Sequence, residues 1–326
     1  MKERGLNIKN LLLIKRPKEV IEETDEIQKW INRFKEEREF DSKSESTIKN
    51  DITRLRVFLD FCYNRLGKGP EEMQTSDFVK FFNYLEKERK LSKNTQKRYF
   101  DLLKVFYKLM RLKNFKEFAE ESKERKRFSN IEIRHYDAVN ADMLNDILSK
   151  IIESNSRTKI RDAIIIRLLW DTGCRVSEIL NLKYKDVDFN SGVIRITNTK
   201  NKEERTVVCS SGTLELLKYY CQFNIRQGPD DYIFQNRRGS KVRKDWISEV
   251  FRKAVNELKK EGKIPQNKRI VIHSLRHGRA VDLLEKGVPI DVVKEYLGHK
   301  SLEITLFYSH SKERTEKLLK VIKKML

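Results

Sequence analysis

From residue 24 to residue 128 the apolar side chains recur at three- and four-residue steps, and strand-like alternation is absent. A chain patterned in this way can bury those side chains only by forming helices. Ile48, Ile52, Leu55, Leu59 and Cys62 mark one amphipathic helix over Ser46–Tyr63, with Ser46 or Thr47 as its cap. Thr24–Phe40 offers Trp30, Ile31 and Phe34 as a second stripe. Thr75–Lys87 carries Phe78, Phe81, Phe82 and Leu85, and Ser92–Leu112 carries Tyr99, Leu102, Leu103, Phe106 and Leu109. Gly67-Lys68-Gly69-Pro70 interrupts the series. Glu117–Arg127 is almost wholly polar and charged and reads as an interdomain linker, although the end of a solvated helix fits nearly as well.

Beyond the linker the texture changes. Ala163–Trp170 is an apolar run of helical length, whereas Val193–Thr197 and Arg205–Cys209 alternate as two short strands. A length of 326 residues suits two compact units. The expected architecture is mainly α. A basic extension (1–23) precedes an all-helical domain (24–118) and a linker (119–135). A mostly helical domain with a small antiparallel sheet (136–326) follows. No internal repeat or low-complexity tract is visible.

Charge narrows the partners. Lys and Arg number 70 against 49 Asp and Glu, a formal net charge of +21. Such an excess repels itself unless a polyanion is nearby, so nucleic acid is the first partner to consider. An anionic membrane is the rival reading, but no run approaches the roughly 18 apolar residues of a spanning helix. Leu11–Ile14 is too short for the apolar region of a secretory signal. Cys62, Cys174, Cys209 and Cys221 are scattered without a CxxC pair, which points to reduced thiols in the cytoplasm rather than a disulfide frame or zinc site.

Five local patterns in the second half could carry chemistry. In Thr172-Gly173-Cys174-Arg175-Val176-Ser177-Glu178 an arginine leaves a buried helix at a glycine bend, where its planar fork can reach a phosphate. A salt bridge or a solvated helix start explains the same residues. Asn198–Glu204 is a polar hairpin tip holding Lys200 and Lys202; a solvated turn is its commoner meaning. His273, Arg276 and His277 share one helical face while Leu275 points away, toward an apolar stripe continued by Leu283 and Leu284. A metal site there lacks the glutamate of an HExxH motif, because Ser274 occupies that position. Gly298 can end the helix over Ile290–Tyr296 and set His299 at a turn, with Ser301 capping the next helix. Tyr308 lies in Thr305–His310, where a lone tyrosine is ordinarily a core or rim residue.

Each pattern is ambiguous alone, but their order is specific. With TGCRVSEIL, HSLRHGRA, LGHKS and TLFYSH in sequence, residues 136–326 closely resemble the tyrosine recombinase (phage integrase, Xer and Cre) family. Residues 24–115 are more loosely similar to its SAM-like core-binding domain. The resemblance implies that Arg175 and Arg276 clamp a DNA phosphate and that His273 and His299 assist. It makes Lys200 the proton donor to the leaving 5′-hydroxyl and Tyr308 the nucleophile. Lys200 is preferred to Lys202 because five residues separate it from Arg205, although Thr199 stands where the family has glycine. Gly278 and Arg279 also replace the more usual Ser/Thr and Phe, and a mid-helix glycine costs about 1 kcal/mol relative to alanine.

Such a set meets the demands of phosphodiester attack. The arginines hold charge building on the non-bridging oxygens. A tyrosine with a pKa near 10 is phenolate about one time in a thousand at pH 7, a deficit of roughly 4 kcal/mol that nearby cations reduce. Neither metal nor cofactor is called for. The expected partner is double-stranded DNA bearing specific sites, bound by a homotetramer when two sites are paired. Alternatives are a type IB topoisomerase, a non-catalytic DNA-binding protein and a general polyanion binder. Leu318, Leu319, Val321, Ile322, Met325 and Leu326 give residues 312–326 an apolar helical stripe. It folds back on its own domain or, as the resemblance implies, docks into a neighbouring protomer.

Overall fold

The computed structural model describes residues 24–129, 136–197 and 204–298. The chain divides into two compact units, 1–133 and 134–326.

The described part of the first unit is entirely helical. Helix α1 (Asp25–Phe40) is capped by Thr24 and buries Ile27, Ile31 and Phe34. Helix α2 (Glu45–Asp60) is capped by Ser44, not by Ser46 or Thr47. The hydroxyl of Ser44 accepts the Thr47 N–H at 3.3 Å, which satisfies one of the free donors of the first turn. A π-type turn (Phe61–Leu66) prolongs α2 to Gly67, whose positive φ of 65° closes it. Helices α3 (Thr75–Lys87) and α4 (Lys93–Leu109) follow the expected periodicity, α4 beginning at a Ser92 cap.

The linker reading of 117–127 is corrected. Lys116–Glu124 forms helix α5, and Phe118 and Phe128 enter the aromatic core beside Phe82 and Phe100. Phe118 is the one ring within 117–127, and the charged positions around it give the segment the appearance of a solvated connector.

In the second unit, helix α6 (Ala141–Glu153) is capped by Asn140, and helix α7 (Lys159–Thr172) forms the centre. Four more helices follow: the short α8 (Val176–Leu180), α9 (Ser211–Cys221), α10 (Lys244–Lys260) and α11 (His273–Glu285). Ala163–Ile166 and Leu168–Thr172 of α7 are buried because α6 and these four helices surround it. Strands β1 (Val193–Ile196) and β2 (Arg205–Val208) pair antiparallel with Ile196 opposite Arg205, and Ile194, Ile196 and Val207 face the core. Helix α12 (Ile290–Leu297) ends at Gly298 with φ 69°. The stripe drawn through Leu275 and Leu284 is divided: Leu275 joins the main core, whereas Leu284 packs with Ala280, Val293 and Leu297. Among the described residues no helix is long and apolar enough to cross a membrane.

Candidate active site

Helix α7 stops at Gly173, and its glycine is required twice over. The backbone is left-handed at φ 61°, and a Cβ there would lie 2.3 Å from a methyl of Leu297. The bend releases Arg175 as the residue preceding α8. Glu178, three residues on, accepts the Arg175 backbone N–H at 2.8 Å and its Nη1 at 2.9 Å. The second arm of Arg175 donates to the Gly298 carbonyl at 3.4 Å, and the side chain keeps 30 % of its surface open.

Helix α11 supplies the next group. Arg276 is buried, and its Nη1 donates to the carbonyl of Gly173 at 2.8 Å. Two arginines separated by a hundred residues therefore meet at one glycine bend. Burial and the charge of Arg175 lower the Arg276 pKa to about 10, which leaves it cationic at neutral pH. His273 shares that face of the helix. The residue is exposed, yet the protein packed around its ring, with the charges of Arg276 and Arg175, pushes its pKa below the ordinary 6.5. At pH 7 it is a neutral imidazole beside two cations. His277 is directed elsewhere, its Nδ1 lying 2.8 Å from the Tyr136 carbonyl.

The Gly278 departure has a packing cause. A Cβ at 278 would stand 2.0 Å from the Val139 carbonyl oxygen and 2.5 Å from the Trp170 ring, so α11 lies directly on the 139 backbone and on α7. The neighbouring Arg279 pairs with Asp282 at 2.6 Å. Neither change disturbs the face bearing His273 and Arg276.

Two residues around the site carried no role in the sequence reading. Glu178 is almost fully buried between Arg175 and Arg205. Burial alone would raise its pKa, but the hydrogen bonds and charges of Arg205 and Arg175 outweigh this and hold the carboxyl below its ordinary range. Arg205 starts β2 and reaches Glu178 at 2.6 Å. The signal for Glu178 was its place at the third helical position, where a carboxylate caps the preceding backbone. In the sequence Arg205 stands out only as the residue five beyond Lys200. Lys200, His299 and Tyr308 lie outside the described residues, so the structure brings together Arg175, His273 and Arg276.

Comparison with known proteins bears on the whole arrangement. Residues 137–315 match the phage integrase family, and residues 30–117 match the phage integrase N-terminal SAM-like domain. A probable integrase/recombinase protein of Methanocaldococcus jannaschii is 70% identical over 328 residues, spanning 100% of this chain and 99% of that protein. Tyrosine recombinase XerC of Leptospira interrogans is 29% identical, covering 89% of this chain and 90% of its own. The Tn1549 transposon integrase in complex with transposon right-end DNA shares the fold with a TM-score of 0.67 at 19% identity, over 90% of this chain and 99% of that one. The chain belongs to the phage integrase family of tyrosine recombinases. It is a recombinase/integrase, an enzyme that breaks and rejoins DNA strands.

Proposed function

We propose that this enzyme cleaves and rejoins DNA at specific sites through a 3′-phosphotyrosyl bond to Tyr308. The observation that carries the reading is the meeting of Arg175, Arg276 and His273 at the Gly173 bend, with Glu178 orienting Arg175. Arg175 and Arg276 hold the non-bridging oxygens of the scissile phosphate, the group on which charge builds during attack. His273, neutral at pH 7, adds a hydrogen bond to that phosphate or accepts the phenol proton; His299 is the further activator. Lys200 protonates the departing 5′-hydroxyl. The covalent link conserves the energy of the broken bond, so resealing by another 5′-hydroxyl consumes no nucleotide.

The two units grip duplex DNA, and a homotetramer assembles when two sites are paired. Residues 312–326, with their apolar stripe, join neighbouring protomers in that assembly. The work is done in the cytoplasm, where the scattered thiols stay reduced.

The test uses a nicked suicide duplex that traps the cleaved intermediate. Wild-type protein should form an SDS-stable adduct. Tyr308→Phe should form none while binding the same duplex within a few-fold. An adduct from Tyr308→Phe would remove Tyr308 as nucleophile. Relaxation of supercoiled DNA without exchange between two sites would make the protein a nicking-closing enzyme instead.

A further inference from the structure

Residues 136–139 run across the first turns of α11 and are fastened there at several points. Asp137 pairs with Arg269, just ahead of the helix: its N–H donates to the Arg269 carbonyl at 3.1 Å, and its carboxylate accepts the Arg269 N–H at 2.7 Å. The Arg269 guanidinium lies 4.5 Å from the centre of the Tyr136 ring. On the helix itself, the Ser274 carbonyl accepts the Val139 N–H at 3.3 Å, and Gly278 stands against the Val139 carbonyl. A shorter tie comes from His277, whose Nδ1 is 2.8 Å from the Tyr136 carbonyl. A carbonyl only accepts, so Nδ1 carries the proton and donates it to this bond.

The residue before it, Arg276, is turned inward and donates to the Gly173 carbonyl at 2.8 Å. Neighbouring residues of a helix point about 100° apart, so the two bonds hold α11 from two directions and fix its roll. The Gly278 contact does something different: it sets how near the helix can come, not how far it turns. With a radius of about 5–6 Å including side chains, a roll of about 10° carries the tips of Arg276 and His273 by about 1 Å. A misplacement of about 1 Å at a reacting centre costs up to about a hundredfold in rate.

We infer that His277 is a positioning residue for strand cleavage: by tying α11 to the Tyr136 carbonyl it sets the roll that aims Arg276 and His273 at the scissile phosphate. The inference rests on the proposed role of Arg276 in holding that phosphate. Its test is single-turnover cleavage of the nicked duplex at saturating protein, well below the melting transition of the second unit. The proteins compared are wild type, His277→Ala, His277→Asn, Arg276→Lys and the double variant His277→Ala with Arg276→Lys. His277→Ala should cleave about ten- to a hundredfold more slowly while binding the duplex within a few-fold of wild type. His277→Asn, whose amide nitrogen takes the place of Nδ1, should recover most of that loss. In the Arg276→Lys background the loss from His277→Ala should shrink severalfold, because the guanidinium it aims is already gone.

Cleavage at the wild-type rate by His277→Ala, whatever its melting temperature, would overturn the inference. So would an Asn variant as slow as the Ala one, or losses that multiply in full in the double variant. Normal cleavage by Arg276→Lys would strike the phosphate clamp, and the inference with it; that single variant reveals it before the cycle is read. If His277→Ala does not fold, His277→Gln, whose amide lies one bond further out, carries the same comparison. Failure of both to fold would make His277 a stabilising residue and nothing more.

Discussion

The first unit fills its interior with rings, whereas the second fills its interior with aliphatic side chains and then buries charge among them. Phe34, Phe58, Phe78, Phe81 and Phe106 are fully covered in the first, with Phe58 edge-on to Phe81 at 5.1 Å and Phe78 edge-on to Phe115 at 4.9 Å. In the second, Ile164–Ile166, Leu168 and Leu169 line α7, and Asp162, Asp171, Glu178 and Arg276 lie inside the same body. Ring packing of this kind supplies large buried area and fixed geometry without polar atoms to satisfy. Buried ions are costly and are tolerated where partners surround them. The second unit accepts that cost at the bend where two arginines must be held for a phosphate. The first has a buried carboxylate too, Asp77, but there it serves a helix start.

The largest effect expected from this contrast comes from Glu178→Ala. It leaves Arg205 buried without its carboxylate and frees Arg175, which should cost about 3–5 kcal/mol of the second unit's stability. Cleavage should fall with it. Denaturant melts followed at Trp170 and Trp246, paired with the suicide-duplex assay, read both quantities. A variant as stable as wild type would show that the buried ions are not what holds this corner. Phe58→Ala should bring a comparable loss of about 3–5 kcal/mol, but in the transition reported by Trp30. An equal shift in the Trp170 and Trp246 signal would mean that the two cores unfold as one.

Four helices of the first unit are legible because burial follows the 3.6-residue period, whereas α7 is legible as an apolar run of helical length. Thr75–Lys87 matches to the residue, whereas the helix expected over Ser92–Leu112 runs Lys93–Leu109 with Ser92 as its cap. Arg175, His273 and Arg276 were legible as motifs, since glycine bends and helical spacing are local properties. What escaped was long-range. Phe118 sits in a charged run, and nothing local reveals that Phe78, Phe82, Phe100 and Phe115 close around it. Gly278 looked like a defect because nothing near it in sequence reveals that Val139 presses on the helix. Arg205 meets its partners only after three distant segments converge. Sequence periodicity reports which face is inward, not which neighbour will be there.

Gly278→Ala sharpens this point at a smaller scale. Helix propensity alone predicts a gain of about 1 kcal/mol from the substitution. The added methyl would instead drive into a backbone oxygen, and overpacking of that kind costs about 1–3 kcal/mol. The second unit's melt should therefore move down, with cleavage slowed by displacement of His273 and Arg276. An upward shift would mean that α11 can lift off the 139 strand of chain at little cost.

The smallest expected effect belongs to Asp77, the first unit's counterpart to Glu178. Its carboxylate accepts Lys68 Nζ at 2.8 Å, Lys80 Nζ at 3.1 Å and the Gln74 N–H at 3.2 Å, closing the start of α3. Burial would raise its pKa, but those three donors prevail and bring it from 3.8 down to about 2. A carboxyl whose pKa is depressed by folding contributes stability above its unfolded value and loses it as pH falls through the folded one. The contribution should thus be complete above about pH 5 and fade toward pH 2. Both lysines approach from solvent, so screening limits it to on the order of 1 kcal/mol. Asp77→Asn should lower the Trp30 transition by that amount at neutral pH and converge with wild type as the acid limit is approached. Salt should narrow the gap between them, whereas it should leave the Glu178→Ala deficit nearly unchanged, because Arg205 is enclosed. Equal salt sensitivity of the two variants would show that the Glu178 cluster, for all its burial, is as open to ions as a helix cap at the surface.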